Sequence, residues 1–66
     1  MTVFVNGEAC DVPPGTTIAT LAAQHDADRR GCAVAVDGAV VPRGRWPEEQ
    51  LRDGQRIEIV RAVQGG

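Results

Sequence analysis

This sequence predicts an α+β domain, with one main helix packed on one face of a mixed, four- to five-stranded sheet. Three observations lead there. Two β-type runs, Thr2–Val5 and residues 8–12, flank Asn6-Gly7, and a second pair, Cys32–Val36 and Ala39–Val41, flanks Asp37-Gly38. Both dipeptides tolerate the positive φ that two-residue hairpin turns require. Between the hairpins, Ile18, Leu21, Ala22 and His25 recur at helical spacing, and a last β-type run at residues 56–63 follows Asp53-Gly54.

Each element has a local cause. A two-residue turn sets Val5 opposite Glu8 and Val3 opposite Cys10, so Val3, Val5, Cys10 and Val12 share the side of the sheet that faces the core. Cys10 then reads as a small buried hydrophobe rather than a reactive thiol. Pro13-Pro14-Gly15 breaks the second strand, and Thr16-Thr17 offers an N-cap for the helix. That helix is expected to stop before Gly31, with Asp26, Asp28, Arg29 and Arg30 forming a solvated, locally charge-paired end. A lone His25, with no Ser, Cys or acid placed to partner it, does not make a catalytic pair.

Pro42 ends the fourth run, and residues 43–50 read as a connector with one helical turn after Pro47. Trp46 is expected to pack its ring over a strand end and Leu51 to plug the core, while Arg43 meets either a partner's acid or solvent. In the last run Ile57 and Ile59 face one side and Glu58, Val60 and Ala62 the other.

Length and composition exclude several classes. At 66 residues the chain has room for one domain, read as residues 1–63 with a flexible tail at 64–66. A core this small does not readily enclose a deep substrate cavity or a large organic cofactor, so a binding or carrier role is favoured over an independent enzyme. Nine acids stand against seven arginines with no run of one sign, which is no footprint for nucleic acid or a membrane surface. The basic residues are all arginine, so the chain has no lysine on which to build lysine-linked conjugates of itself. Cys10, Cys32 and His25 lack metal-ligand spacing, and no metal or bound cofactor is expected. Residues 1–7 resemble neither a signal peptide nor a membrane span, so a reducing, cytoplasmic location is expected.

The element order, ending in Gly65-Gly66, resembles the ubiquitin-like β-grasp fold, and local strings narrow the likeness to the ThiS family of sulfur carriers in thiamine biosynthesis. The strings are Val-Asn-Gly at 5–7, Pro-x-Gly-Thr-Thr at 13–17, Ala-Val-Ala-Val-Asp at 33–37, Val-Pro-Arg-x-x-Trp at 41–46, Asp-Gly-x-x-Ile-Glu-Ile-Val at 53–60 and Ala-Val-Gln-Gly-Gly at 62–66. Asp-Gly at 37–38 and Asp-Gly-Gln at 53–55 depart from the Asn-Gly and Asp-Gly-Asp of many family members, yet keep the turn chemistry. The related molybdopterin carriers tend to be longer and to lack Val-Pro-Arg-x-x-Trp, which makes that assignment the runner-up.

The resemblance implies a protein co-substrate rather than an enzyme. Its working atom would be the Gly66 carboxyl carbon, which a ThiF-like adenylating enzyme activates with ATP. Sulfur from a donor such as a cysteine desulfurase then yields a C-terminal thiocarboxylate, and a ThiG-like thiazole synthase receives that sulfur. Activation is needed because a terminal carboxyl, with a pKa near about 3.5, is an anion at neutral pH and a poor electrophile. Gly65 and Gly66, without side chains, suit a narrow slot, since three extended residues reach about 10 Å. The register proposes a docking face: Phe4, Val60 and Ala62, with Ala9, Ala33 and Ala35, form an apolar patch opposite the core, and Val63 and Gln64 lead to the glycines. Carriers serving molybdopterin, cysteine or secondary-metabolite sulfur share this chemistry. A different class, a ubiquitin-like interaction module whose tail is idle or joined to other proteins as an isopeptide, fits the same elements. In a sheet ordered 2-1-5-3, Cys10 and Cys32 lie about 14 Å apart, too far for a disulfide.

Overall fold

Strands β1 (Thr2–Val5) and β2 (Glu8–Asp11) form the expected antiparallel hairpin, with Val3 opposite Cys10 and Val5 opposite Glu8. Asn6 and Gly7 take φ of 50° and 86°, the paired positive values of a tight hairpin turn. The computed structural model describes residues 1–61. The remaining elements are helix α1 (Ile18–Gln24), the hairpin of β3 (Cys32–Val36) and β4 (Ala39–Val41), a 3-10 turn at Arg43–Arg45, and β5 (Arg56–Arg61). The five strands stand in the order β2-β1-β5-β3-β4, with β1 and β5 parallel and the other neighbours antiparallel. The expected α+β arrangement of one helix against a mixed sheet is therefore present.

The core lies between the sheet and α1. Val3, Val5, Val34 and Ile57 from the sheet meet Ile18, Leu21 and Ala22 from the helix, and Val12, Ala27, Trp46 and Leu51 close the edges. Cys10 is only half-buried against this cluster, because its strand β2 is the edge of the sheet. Both cysteines are free, on strands separated by β1 and β5, as the strand order predicts.

The helix start depends on a segment far along the chain. Thr17 is the N-cap and its hydroxyl accepts from the Thr20 amide at 3.2 Å. The other first-turn donors reach the connector: the Ile18 amide donates to the Glu49 carbonyl at 2.9 Å and the Ala19 amide to the Trp46 carbonyl at 3.1 Å. These groups would otherwise lack intrahelical partners. The Leu51 amide returns the tie to the Thr16 carbonyl at 2.8 Å. This tether corrects the expected position of the connector's helical turn. The turn lies at Arg43–Arg45, before Pro47, because residues 49–51 are drawn out to pair with residues 16–18.

Trp46 is buried to 3% exposure, and its indole Nε1 donates to the Val41 carbonyl at the end of β4, 2.9 Å away. Arg43 is not left to open solvent alone. Its guanidinium lies 4.5 Å from the Trp46 ring and donates to the carbonyls of Asp28, Arg29 and Cys32. The pairing expected among Asp26, Asp28, Arg29 and Arg30 is absent. Among the described residues the ion pair is Arg45 with Glu49 at 3.3 Å, an exposed contact of small energetic weight.

Helix α1 ends at Gln24, well before Gly31, in a Schellman motif: the Ala27 amide donates to the Ala22 carbonyl at 2.7 Å and the Asp26 amide to the Ala23 carbonyl at 3.2 Å. The left-handed position is held by Asp26, at φ 56°, where glycine is favoured. Replacing Asp26 with Gly should therefore raise unfolding stability by about 0.5–1 kcal/mol. A urea midpoint for Asp26→Gly at or below that of the unmodified protein would contradict this account of the helix end.

Candidate functional site

The sequence directs attention to whatever holds the C-terminal end of β5, because residues 62–66 follow directly from it. Strand β5 is central and is gripped on both edges. On the β3 side the ladder runs from Val36 opposite Ile57 to Cys32 opposite Arg61. On the β1 side the strand pairing is short, Phe4 with Arg56 and Val5 with Ile57, and a side chain of the first hairpin turn extends it, while the second turn extends the β3 side.

Asn6 does this at one end. Its backbone amide donates to the Ile57 carbonyl at 2.8 Å, its Oδ1 accepts from the Ile59 amide at 2.9 Å, and its Nδ2 donates to the Ile59 carbonyl at 3.4 Å. A carboxamide carries both a donor and an acceptor, so it can mimic one more residue of strand. Asp37 acts likewise at the other end: its amide donates to the Arg56 carbonyl at 2.8 Å and its Oδ1 accepts from the Arg56 amide at 3.0 Å. The start of β5 is also tied through Asp53, whose Oδ1 accepts from the Thr2 amide, and Gly54, whose amide donates to the Thr2 carbonyl, both at 2.7 Å.

Phe4 and Val60 occupy the outer face, at 39% and 58% exposure. They do not gather with one another. Phe4 pairs with Arg56, so four residues of β5 separate it from Val60 along the strand, about 13 Å, with Arg56 and Glu58 on the same face between them. The apolar surface is thus divided. One part is Phe4 beside Ala9; the other is Val60 beside Ala33, with Ala35 and the 72%-exposed Val40 in the adjoining row. A shallow groove borders Phe4, Asn6, Asp37, Arg56 and Glu58. Ala62, Val63, Gln64, Gly65 and Gly66 lie outside the described residues.

Among the described residues no three His, Cys, Asp or Glu side chains cluster to hold a metal ion, and no buried side-chain nitrogen or oxygen lacks a hydrogen-bond partner. No helix among the described residues is long and apolar enough to cross a membrane. Sequence reasoning missed the bracing roles of Asn6 and Arg61. Asn6 carries a faint signal, since its amide could do more than form a turn, whereas Arg61 carries none.

The model of the ThiS family matches residues 3–66. The sulfur carrier protein ThiS of Escherichia coli (strain K12) is 30% identical over 66 residues, covering all of both chains. The crystal structure of the thiamine biosynthesis protein ThiS from Geobacter metallireducens superposes with a TM-score of 0.82 at 22% identity, over the full length of both chains. An NMR structure of a thiamine biosynthesis protein from the same organism gives 0.79 at 21% identity, covering all of this chain and 88% of that one. At these identities the two structures speak to fold alone, and that fold is the β-grasp arrangement the sequence predicts.

Substitutions at Asn6 separate turn geometry from the bracing of β5. Asn6→Gly keeps the positive φ but removes the amide and should lower stability by about 1 kcal/mol. Asn6→Ala adds backbone strain and should lower it by about 2 kcal/mol. Equal urea midpoints for Asn6→Gly and the unmodified protein would show that the side-chain bonds to Ile59 contribute nothing.

Proposed function

This chain belongs to the ThiS family, and on that premise we propose that it is a sulfur carrier for thiazole formation in thiamine biosynthesis, loaded at the carboxyl of Gly66. The full-length match to a named sulfur carrier, ending on the same residues as the Gly-Gly tail, carries this reading. A carrier of this kind is a co-substrate and not a catalyst; ATP is bound by its partner.

The chemistry follows from the electrophilicity of the carboxyl carbon. An adenylating enzyme of the ThiF type joins the Gly66 carboxylate to the α-phosphate of ATP and releases pyrophosphate, which converts a carboxylate oxygen into part of a good leaving group. A persulfide sulfur, drawn from a donor such as a cysteine desulfurase, then attacks the carbonyl carbon and expels AMP. A thiol cleaves the resulting sulfur–sulfur bond, leaving the thiocarboxylate on Gly66 while the thiol is oxidised to a disulfide. A ThiG-like thiazole synthase takes the sulfur and returns the carboxylate. Gly65 and Gly66 serve by being narrow: with no Cβ they fit a slot that wider residues would block.

Docking is assigned to the outer face of the sheet, with Val60 as its principal residue and Phe4 as an outlying one, together with Ala62, Val63 and Gln64 of the chain beyond β5. Val60 is six residues before Gly66, whereas Phe4 sits at the opposite end of β5. Residues 62–66 span at most about 17 Å when extended, so contacts next to β5's end bear most directly on where Gly66 arrives.

Two measurements test this. Pyrophosphate release by the adenylating enzyme should depend on the carrier and vanish when Gly65 and Gly66 are deleted; persistence without them would remove the proposal. With the fold intact, Val60→Asp should lower kcat/KM for the carrier by about tenfold and Phe4→Asp by less, since charge at an apolar contact costs most where the partner sits closest. Equal rates for Val60→Asp and the unmodified protein would exclude this face.

A further inference from the structure

We propose that Arg61 is a positioning residue for tail loading: its guanidinium, bonded to the His25 and Asp26 carbonyls just past α1, fixes the end of β5 that leads on to residues 62–66. The proposal rests on the carrier reading above and deepens it.

Arg61 pairs with Cys32, the first residue of β3, and on the other side Asn6 braces β5 at Ile59, two residues earlier. The side chain of Arg61 alternates onto the core side with Ile57 and Ile59, away from the outer face that carries Val60. There its Nη2 donates to the His25 carbonyl at 3.0 Å and the Asp26 carbonyl at 3.3 Å. These carbonyls sit just past the last residue of α1, where a cation also meets the negative end of the helix dipole.

An anchor requires a fixed object to hold. Here the object is the segment 25–32, and Arg43 holds it from the opposite side through the carbonyls of Asp28, Arg29 and Cys32 while stacked on the buried Trp46. The Schellman bonds at Asp26 and Ala27 fix its first residues. Two arginines therefore clasp one loop, and Arg61 stands five residues before Gly66 in the chain. A bond between exposed groups adds little to global stability, but at the base of a tail that must enter an active site it restricts direction, and misplacement at a reacting centre is costly.

The test uses Arg61→Ala and Arg61→Lys with the adenylating enzyme, reading pyrophosphate release over a range of carrier concentrations, alongside amide hydrogen exchange of the carriers alone. Arg61→Ala should lower kcat by about tenfold while KM stays within about twofold and the urea midpoint barely moves. Exchange at the Ile59 amide, bonded to Asn6, and at the Val60 amide, which faces β3, should quicken by about tenfold, with core amides unchanged. Arg61→Lys, which keeps a charged donor at this corner, should recover much of both losses. Unchanged exchange in Arg61→Ala overturns the anchor whatever the partner does. Unchanged kcat, or a rise in KM alone, overturns its role in loading and makes Arg61 at most a docking contact. If the unmodified protein itself releases no pyrophosphate, the carrier reading fails, and exchange still judges the anchor independently.

Discussion

The structure depends on keeping β5 in the middle of the sheet. A strand with neighbours on both edges must have its backbone donors and acceptors met on both sides, and here two parallel pairs with β1 are too few to do so. On the β1 edge the deficit is made up by Asn6, which meets Ile57 and Ile59; on the β3 edge Asp37 meets Arg56, and Asp53 and Gly54 tie the turn before β5 to Thr2 of β1. Because these residues also reverse the chain, hairpin geometry and strand anchoring are one constraint. The two ends of β5 thus take their positions from two hairpin turns far away in sequence, Asp37 at Arg56 and Asn6 at Ile59.

The second half of the chain is needed to complete the first. Helix α1 is short, Ile18–Gln24, and by itself would be marginal in water. Its first-turn amides are met by Trp46 and Glu49, and its far end is packed beneath the loop that Arg43 and Arg61 clasp. The Val-Pro-Arg-x-x-Trp string thereby gains a physical meaning. Pro42 ends β4, the following turn carries Trp46 back over the sheet, and the same turn aims Arg43 at the 28–32 carbonyls.

Much of this was legible because local chemistry and tertiary structure agree. Asn6-Gly7 and Asp37-Gly38 specify their turns, register follows from the period of two, and Ile18, Leu21 and Ala22 find the core their spacing implies. The misreadings occur where long-range hydrogen bonds decide. Pro47 suggested a helix start, but pairing of residues 49–51 with 16–18 prevents one. Arg43 and the charges at 26–30 looked like surface electrostatics, whereas the arginine's partners are backbone carbonyls, which no charge pattern records. Phe4 and Val60 share a face by parity, yet parity says nothing about stagger; the parallel register of β1 against β5 sets them at opposite ends.

The central claim, that Gly66 is the sulfur-bearing atom's attachment point, is tested most directly on protein isolated from cells that also express its adenylating enzyme and a sulfur donor. Exchange of sulfur for oxygen adds the same nominal mass as one oxidation, so Cys10 and Cys32 should first be replaced by Ser and the protein treated with a thiol-alkylating reagent. The account predicts one alkyl group on the C-terminal peptide, at Gly66. Its absence from that peptide, with adenylating enzyme and donor both active, would contradict it.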